Sequence, residues 1–125
     1  MRHIHDLNQV KLDRSWMTIG SFDGVHLGHQ QIISSLVDGA KQAGMPSVVV
    51  TFFPHPQFIL RGESRPYYLT LPEKRAQLLA ELGVDYVFTY PFDKRISQLS
   101  AKDFITGLHE DFHFQELLVG YDFAL

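Results

Sequence analysis

His26 and His29 stand three residues apart in a run that starts at Thr18 and also carries Gly20, Gly24 and Gly28 at intervals of four. An apolar, strand-like segment precedes this run and an amphipathic helical pattern follows it. A strand-to-helix junction of this kind turns backbone N–H groups and a helix N-terminus toward a ligand, and glycines let that ligand approach the main chain. Two imidazoles one helical turn apart can donate hydrogen bonds to the same chain of phosphates, more strongly when protonated, and stabilise charge that develops as a phosphoryl bond rearranges. A nucleotide site is therefore the first expectation.

Blander readings stand beside it. The two histidines could be surface or capping residues. A zinc site has less support, because the spacing lacks the metalloprotease glutamate and the chain has no cysteine. The glycines match neither the dinucleotide fingerprint nor a P-loop, which needs a lysine after its last glycine, and could be ordinary turn residues. Asp23 before Gly24 suits a turn or a helix cap equally well, and Phe22 could belong to the core. Other clusters are Pro54, His55 and Pro56, which could form a rigid turn, and Asp122 near the end. His109 and His113 have the spacing of a helical metal pair but read as solvent-exposed, as do His3 and His5. Lys74 and Arg75 read as a solvated helix face.

The elements that must position these groups follow from hydrophobic periodicity. Trp16 to Gly20 reads as a short buried strand. Ile32, Ile33, Leu36, Val37, Ala40 and Ala43 recur at helical spacing, and that pattern stops at Gly44 with Pro46 beyond. Ser47 to Phe53 is an apolar run without alternation, as in a strand covered on both faces. Pro54 and Pro56 forbid its continuation. A loop with Gly62 and Pro66 leads to a helix marked by a capping box, Thr70 with Glu73, with Leu78, Leu79 and Leu82 on its apolar face and Gly83 as its stop. Asp85 to Tyr90 is a third strand, Ser100 and Asp103 cap a helix running to about Glu110, and Glu116 to Tyr121 is a fourth strand. The alternation predicts an α/β fold with a doubly wound parallel sheet and right-handed crossovers. In such a sheet, ligands gather at the carboxyl ends of the strands. Three of the clusters fall at such ends.

The chain has 125 residues, 45% hydrophobic and 20% charged, with a formal net charge of −3. This is one domain's worth of ordinary globular composition. The charge gives no general reason to expect nucleic-acid or membrane-surface binding, so phosphate recognition must come from a local site. The lack of cysteine fits a reducing compartment, and neither an apolar leader nor a run of about 20 apolar residues is present. The expected location is the cytoplasm. There is no internal repeat or linker, and the chain stops straight after its last strand, where a ligand loop should begin, so it reads as cut.

Taken together, Gly20 to His29, Thr51 to Pro56, Leu69 and Thr70 with Glu73 and Lys74, and Val119 to Phe123 resemble the adenylyltransferase module of prokaryotic bifunctional riboflavin kinase/FAD synthetase. The histidine motif alone indicates the wider nucleotidylyltransferase superfamily, with its Rossmann-like sheet; the Pro-His-Pro and Gly-x-Asp-Phe elements narrow the likeness to the flavin branch. The resemblance implies that an FMN phosphate oxygen attacks the α-phosphorus of magnesium-ATP, giving FAD and pyrophosphate. It implies that His26 and His29 are the catalytic, phosphate-contacting pair and that Gly20, Ser21, Phe22, Asp23 and Gly24 line the nucleotide. Pro54, His55, Pro56 and Asp122 border the flavin and its phosphate; Asp122 could instead hold magnesium through water. The family continues with a glycine-rich loop, a serine, threonine and arginine segment and a β-barrel riboflavin kinase domain. Residues 1–125 are thus expected to be the N-terminal part of the adenylyltransferase domain, without the covalently linked kinase of the parent protein. The alternatives are a nucleotide- and flavin-binding fragment without catalysis, or a related transferase with another phosphorylated acceptor.

Overall fold

Val48, Val49 and Val50 are all fully buried, which in an extended chain means that both faces of the strand are covered. They lie in the middle of a five-stranded, all-parallel sheet of order β1-β4-β3-β2-β5. Its strands are β1 (Arg2–Ile4), β2 (Ser15–Ile19), β3 (Ser47–Phe53), β4 (Tyr86–Pro91) and β5 (Phe114–Val119). Among the described residues three helices alternate with them: α1 (Leu27–Ala43), α2 (Pro72–Glu81) and α3 (Ala101–Phe112). The structure is a computed structural model, and the residues it describes are 1–4, 11–20, 22, 27–53, 72–91 and 98–119.

The sheet separates two cores. On one face, Ile33 and Leu36 of α1 and Ala76 and Leu79 of α2 meet Val49 and Val87. On the other, Phe104, Leu108 and Phe112 of α3 meet Met17, Ile19, Val48, Val50, Phe52 and Phe88. Helices on both faces make the sheet doubly wound, as the alternation of elements predicts.

Local chemistry ends the helices. Gly44 (φ 70°) follows α1 and Gly83 (φ 98°) follows α2, both in the left-handed region. In each case the glycine N–H bonds three residues back, to Lys41 or Ala80, and the next N–H bonds five back, to Ala40 or Leu79. This is the Schellman arrangement, with the hydrophobic contact between Val84 and Leu79 that often accompanies it. Ser100 caps α3 by accepting from the Asp103 N–H at 3.0 Å. The helix then runs past Glu110 to Phe112, because His113 itself adopts the left-handed conformation and donates its N–H to the His109 carbonyl. β5 follows at once, two residues before the predicted strand.

The N-terminus departs from expectation. Arg2–Ile4 forms an edge strand on β4, and the half-buried His3 ring is hydrogen-bonded through Nε2 to Thr89 Oγ1 at 2.6 Å. Ile4, fully buried, supplies the driving force; one apolar residue in three gives no visible period. His5, the Gly62 and Pro66 loop and the Thr70 cap lie outside the described residues.

Gly39 sits inside α1, where alanine ordinarily stabilises by about 0.5–1 kcal/mol. Here a Cβ would lie 2.1 Å from Trp16 Cζ3 and 2.6 Å from Cη2. Gly39→Ala is expected to destabilise the domain by about 1–3 kcal/mol through overpacking. Urea unfolding checks this; equal or higher stability in the variant would contradict it.

Candidate active site

The ends of β3, β2 and β5 lie side by side, with Ile19 paired to Val50 on one flank and to Val119 on the other. From β2 the chain passes through α1 to β3 on one flank, whereas β5 reaches the other flank from β4 by way of α3. Between β2 and β5 the connections diverge, which opens the crevice where open α/β sheets take their ligands. Each sequence cluster is attached to one of these ends: Gly20 to His29 follows β2, Pro54 to Pro56 follows β3, and Asp122 follows β5. Ser21, Asp23, Gly24, His26, Pro54, His55, Pro56 and Asp122 themselves lie outside the described residues. His29 belongs to the first turn of α1, a turn with no acidic residue; its side chain is likewise outside the description.

Gly20 and Phe22 can be followed in detail. The Gly20 N–H donates to the Val50 carbonyl at 3.0 Å, extending the ladder one residue past β2. The chain then turns, with Phe22 in the left-handed region at φ 50°, an uncommon conformation for a non-glycine residue. Burial holds it there: the ring is 4% exposed and joins the core under α1. A Cβ on Gly20 would stand 2.8 Å from Phe22 Cε2, so the glycine is needed for the close approach of this ring. Phe22 is thus a core residue by its side chain. One residue before the strand ends, Thr18 donates its hydroxyl to the Leu118 carbonyl at 2.6 Å, pinning β2 to β5.

The face under α2 carries a polar group that charge alone concealed. Lys74 is exposed, as a solvated face requires, but Arg75 is 1% exposed. Its Nη1 donates to Thr51 Oγ1 at 2.7 Å and to the Phe52 carbonyl at 3.2 Å. The signal was present in the periodicity: Arg75 precedes Leu79 by four residues and Leu82 by seven, which places it on the apolar stripe of the helix. Thr51 pairs with Thr89, the partner of His3, so buried polar groups line up across β3 and β4 near their carboxyl ends.

The other edge has a different character. Ser47 and Asp85 are tied reciprocally, Ser47 N–H and Oγ donating to Asp85 Oδ2 and the Asp85 N–H donating to Ser47 Oγ. Next to them an open groove of about 450 Å³ lies between Met1, Arg2, Pro46, Asp85 and Tyr86. His113 Nδ1 donates to the Leu12 carbonyl at 2.6 Å, and His109 stacks edge-on against His113 and Phe114. His113, expected to be solvent-exposed, is therefore half-buried and caps α3, its ring tied to the Leu12 carbonyl, whereas His109 is exposed. Burial, reinforced by Glu110, raises the Asp111 carboxyl above its ordinary range, while Lys11 and His113 oppose the rise. Among the described residues no three His, Asp or Glu side chains gather as a metal would require, and no helix is long and apolar enough to cross a membrane.

A doubly wound, all-parallel sheet with helices on both faces is a Rossmann-like α/β domain. Residues 8–125 match the family model of FAD synthetase, and the chain belongs to that family. It is 36% identical over 124 residues to the bifunctional riboflavin kinase/FMN adenylyltransferase of Escherichia coli strain K12, covering 98% of this chain and 40% of that protein. The proteins of the same name from Bacillus subtilis and Pseudomonas fluorescens are 34% and 42% identical over 123 and 107 residues. These alignments cover 98% and 85% of this chain but 39% and 34% of the relatives. A solved structure titled as a macrolide-efflux protein from Streptococcus pneumoniae superposes with a TM-score of 0.83 at 23% identity. The match covers 100% of this chain and 43% of that one, and it is a likeness of fold.

The contact between Gly20 and Phe22 makes a quantitative expectation. Gly20→Ala should destabilise the wild-type background by about 1–3 kcal/mol, and less once Phe22→Ala has removed the ring, giving a coupling energy of about 1 kcal/mol in a double-mutant cycle. Strictly additive losses in chemical denaturation would refute the contact.

Proposed function

We propose that the chain is the N-terminal part of an FMN adenylyltransferase domain, joining AMP from ATP to FMN to give FAD and pyrophosphate. In the full protein a riboflavin kinase domain would be covalently linked to it. The observation that carries this reading is the attachment of all three sequence clusters to adjoining strand ends around the switch point, in a chain of the FAD synthetase family. The cytoplasm is the proposed compartment.

In the proposed reaction an FMN phosphate oxygen attacks the α-phosphorus of ATP, a new P–O bond forms, and the bond to the β-phosphate oxygen breaks as pyrophosphate leaves. The protein need only align the two phosphates and stabilise the charge that develops. Gly20 to Gly24 would admit the nucleotide close to the backbone, Phe22 anchoring that turn through its buried ring. His26 and His29, at the start of α1, would donate to the phosphate oxygens, with the positive end of the helix behind them. Pro54, His55, Pro56 and Asp122 would border the flavin side. Asp122 also offers the oxygen donor that a hard divalent cation takes, and magnesium bound with ATP would neutralise part of the triphosphate charge.

Incubation of the full protein with ATP, FMN and magnesium should yield FAD and pyrophosphate in equal amounts. Replacing His26 and His29 together by alanine should slow turnover by at least about 100-fold, the scale for losing a charge-stabilising donor. Unchanged turnover in the double variant would remove the histidines from the mechanism. Binding of ATP and FMN without pyrophosphate release by the unmodified protein would favour a binding role over a catalytic one.

A further inference from the structure

A buried arginine on the helix beside the flavin-side strand is not used by the chemistry proposed above. Backbone groups of successive residues in a strand point alternately to its two neighbours. The Val50 carbonyl faces β2, since it accepts from Gly20, so the Phe52 carbonyl two residues later faces the same flank, beyond the point where β2 has turned away. Arg75 Nη1 reaches that carbonyl at 3.2 Å and Thr51 Oγ1 at 2.7 Å. It thus extends the hydrogen bonding of β3 from the side, using a helix where the sheet has run out. A guanidinium remains charged and is costly to bury. The neighbouring stripe residue Leu79, fully buried in the same core, illustrates what packing alone would select.

We infer that Arg75 is a positioning residue: by tying α2 to Thr51 and Phe52 it fixes the place and direction in which the chain leaves β3 toward Pro54, His55 and Pro56. On the function proposed above, which this consequence rests on, the flavin and its phosphate meet the protein there. Arg75 would then govern affinity for FMN without touching it, and ATP, received at the β2 junction, would be little affected.

Two measurements on the full protein, well below its melting temperature, test this. In Arg75→Met, which keeps the bulk and removes the donors, amide exchange at Phe53, His55 and Gln57 should accelerate about tenfold, while Val49 and Leu79 stay within about twofold. FMN affinity should fall about tenfold with ATP affinity changed less than about twofold, and Arg75→Lys, which retains a charged donor, should recover part of both effects. Thr51→Val removes one acceptor and carries the same expectations at smaller size should Arg75→Met fail to fold. Unaltered exchange at Phe53 to Gln57, or acceleration spread equally to Val49 and Leu79, overturns the inference, as does an equal loss of FMN and ATP affinity. If the unmodified protein binds no FMN, the proposed function and the flavin consequence fall together, while the exchange result still decides whether Arg75 anchors the end of β3.

Discussion

Because β2 is hydrogen-bonded on both flanks, to β3 along Trp16–Ile19 and to β5 along Ser15–Ile19, three strand ends reach the carboxyl edge of the sheet together. Everything proposed for the site depends on this double pairing. Either flank alone would leave one cluster stranded at a distance, and the divergence of connections that opens the crevice would vanish. The pairing is reinforced at both ends of the strand by side chains that reach across to carbonyls, Ser15 to Phe112 and Thr18 to Leu118. A fully buried hydroxyl is tolerated at each place because it completes a bond that would otherwise be lost.

The two faces of the sheet are not equivalent. Under α3 the contacts are almost wholly aromatic and aliphatic, with Phe52, Phe88, Tyr90, Phe104 and Phe112 in tilted or stacked contact at centroid distances of 5.3–6.3 Å. Under α1 and α2 the apolar core gives way toward the carboxyl edge to Thr18, Thr51, Thr89 and Arg75. The apolar face supplies stability without conditions. The polar rows gain only when every group finds its partner, and in return they restrict the backbone to one geometry. The restriction falls at the carboxyl edge, where the proposed site would receive its ligand.

Much of this was legible locally, and the reasons differ by element. Gly44 and Gly83 announced the ends of α1 and α2 because only a glycine meets the left-handed turn cheaply, and Ser100 with Asp103 announced the start of α3. His113 gave no such notice, since its unfavourable conformation is maintained by a hydrogen bond to Leu12, remote in sequence. β1 escaped because its partner β4 lies more than 80 residues away, as the register of Arg2 with Tyr86 requires, and three residues carry no period. Arg75 has the charge of a solvated helix face, but its position on the apolar stripe, with Thr51 and Phe52 to receive its donors, decides its burial. The clusters were visible by residue type, and the fold class implied a parallel sheet whose strand ends carry them; that β5 lies against β2, and not beyond β1, is a property of the whole sheet that no single segment encodes.

The hydroxyl of Thr18 meets a carbonyl 100 residues further along the chain. During synthesis from the N-terminus, β2 can therefore acquire β3 early but must wait for about 100 further residues before its second flank closes. Until then the strand beside the future crevice presents an open edge, the kind of surface that invites pairing with other chains. The same connectivity that sets β2 beside β5 delays that region until β5 has been made, so formation of the proposed site is coupled to the arrival of β5.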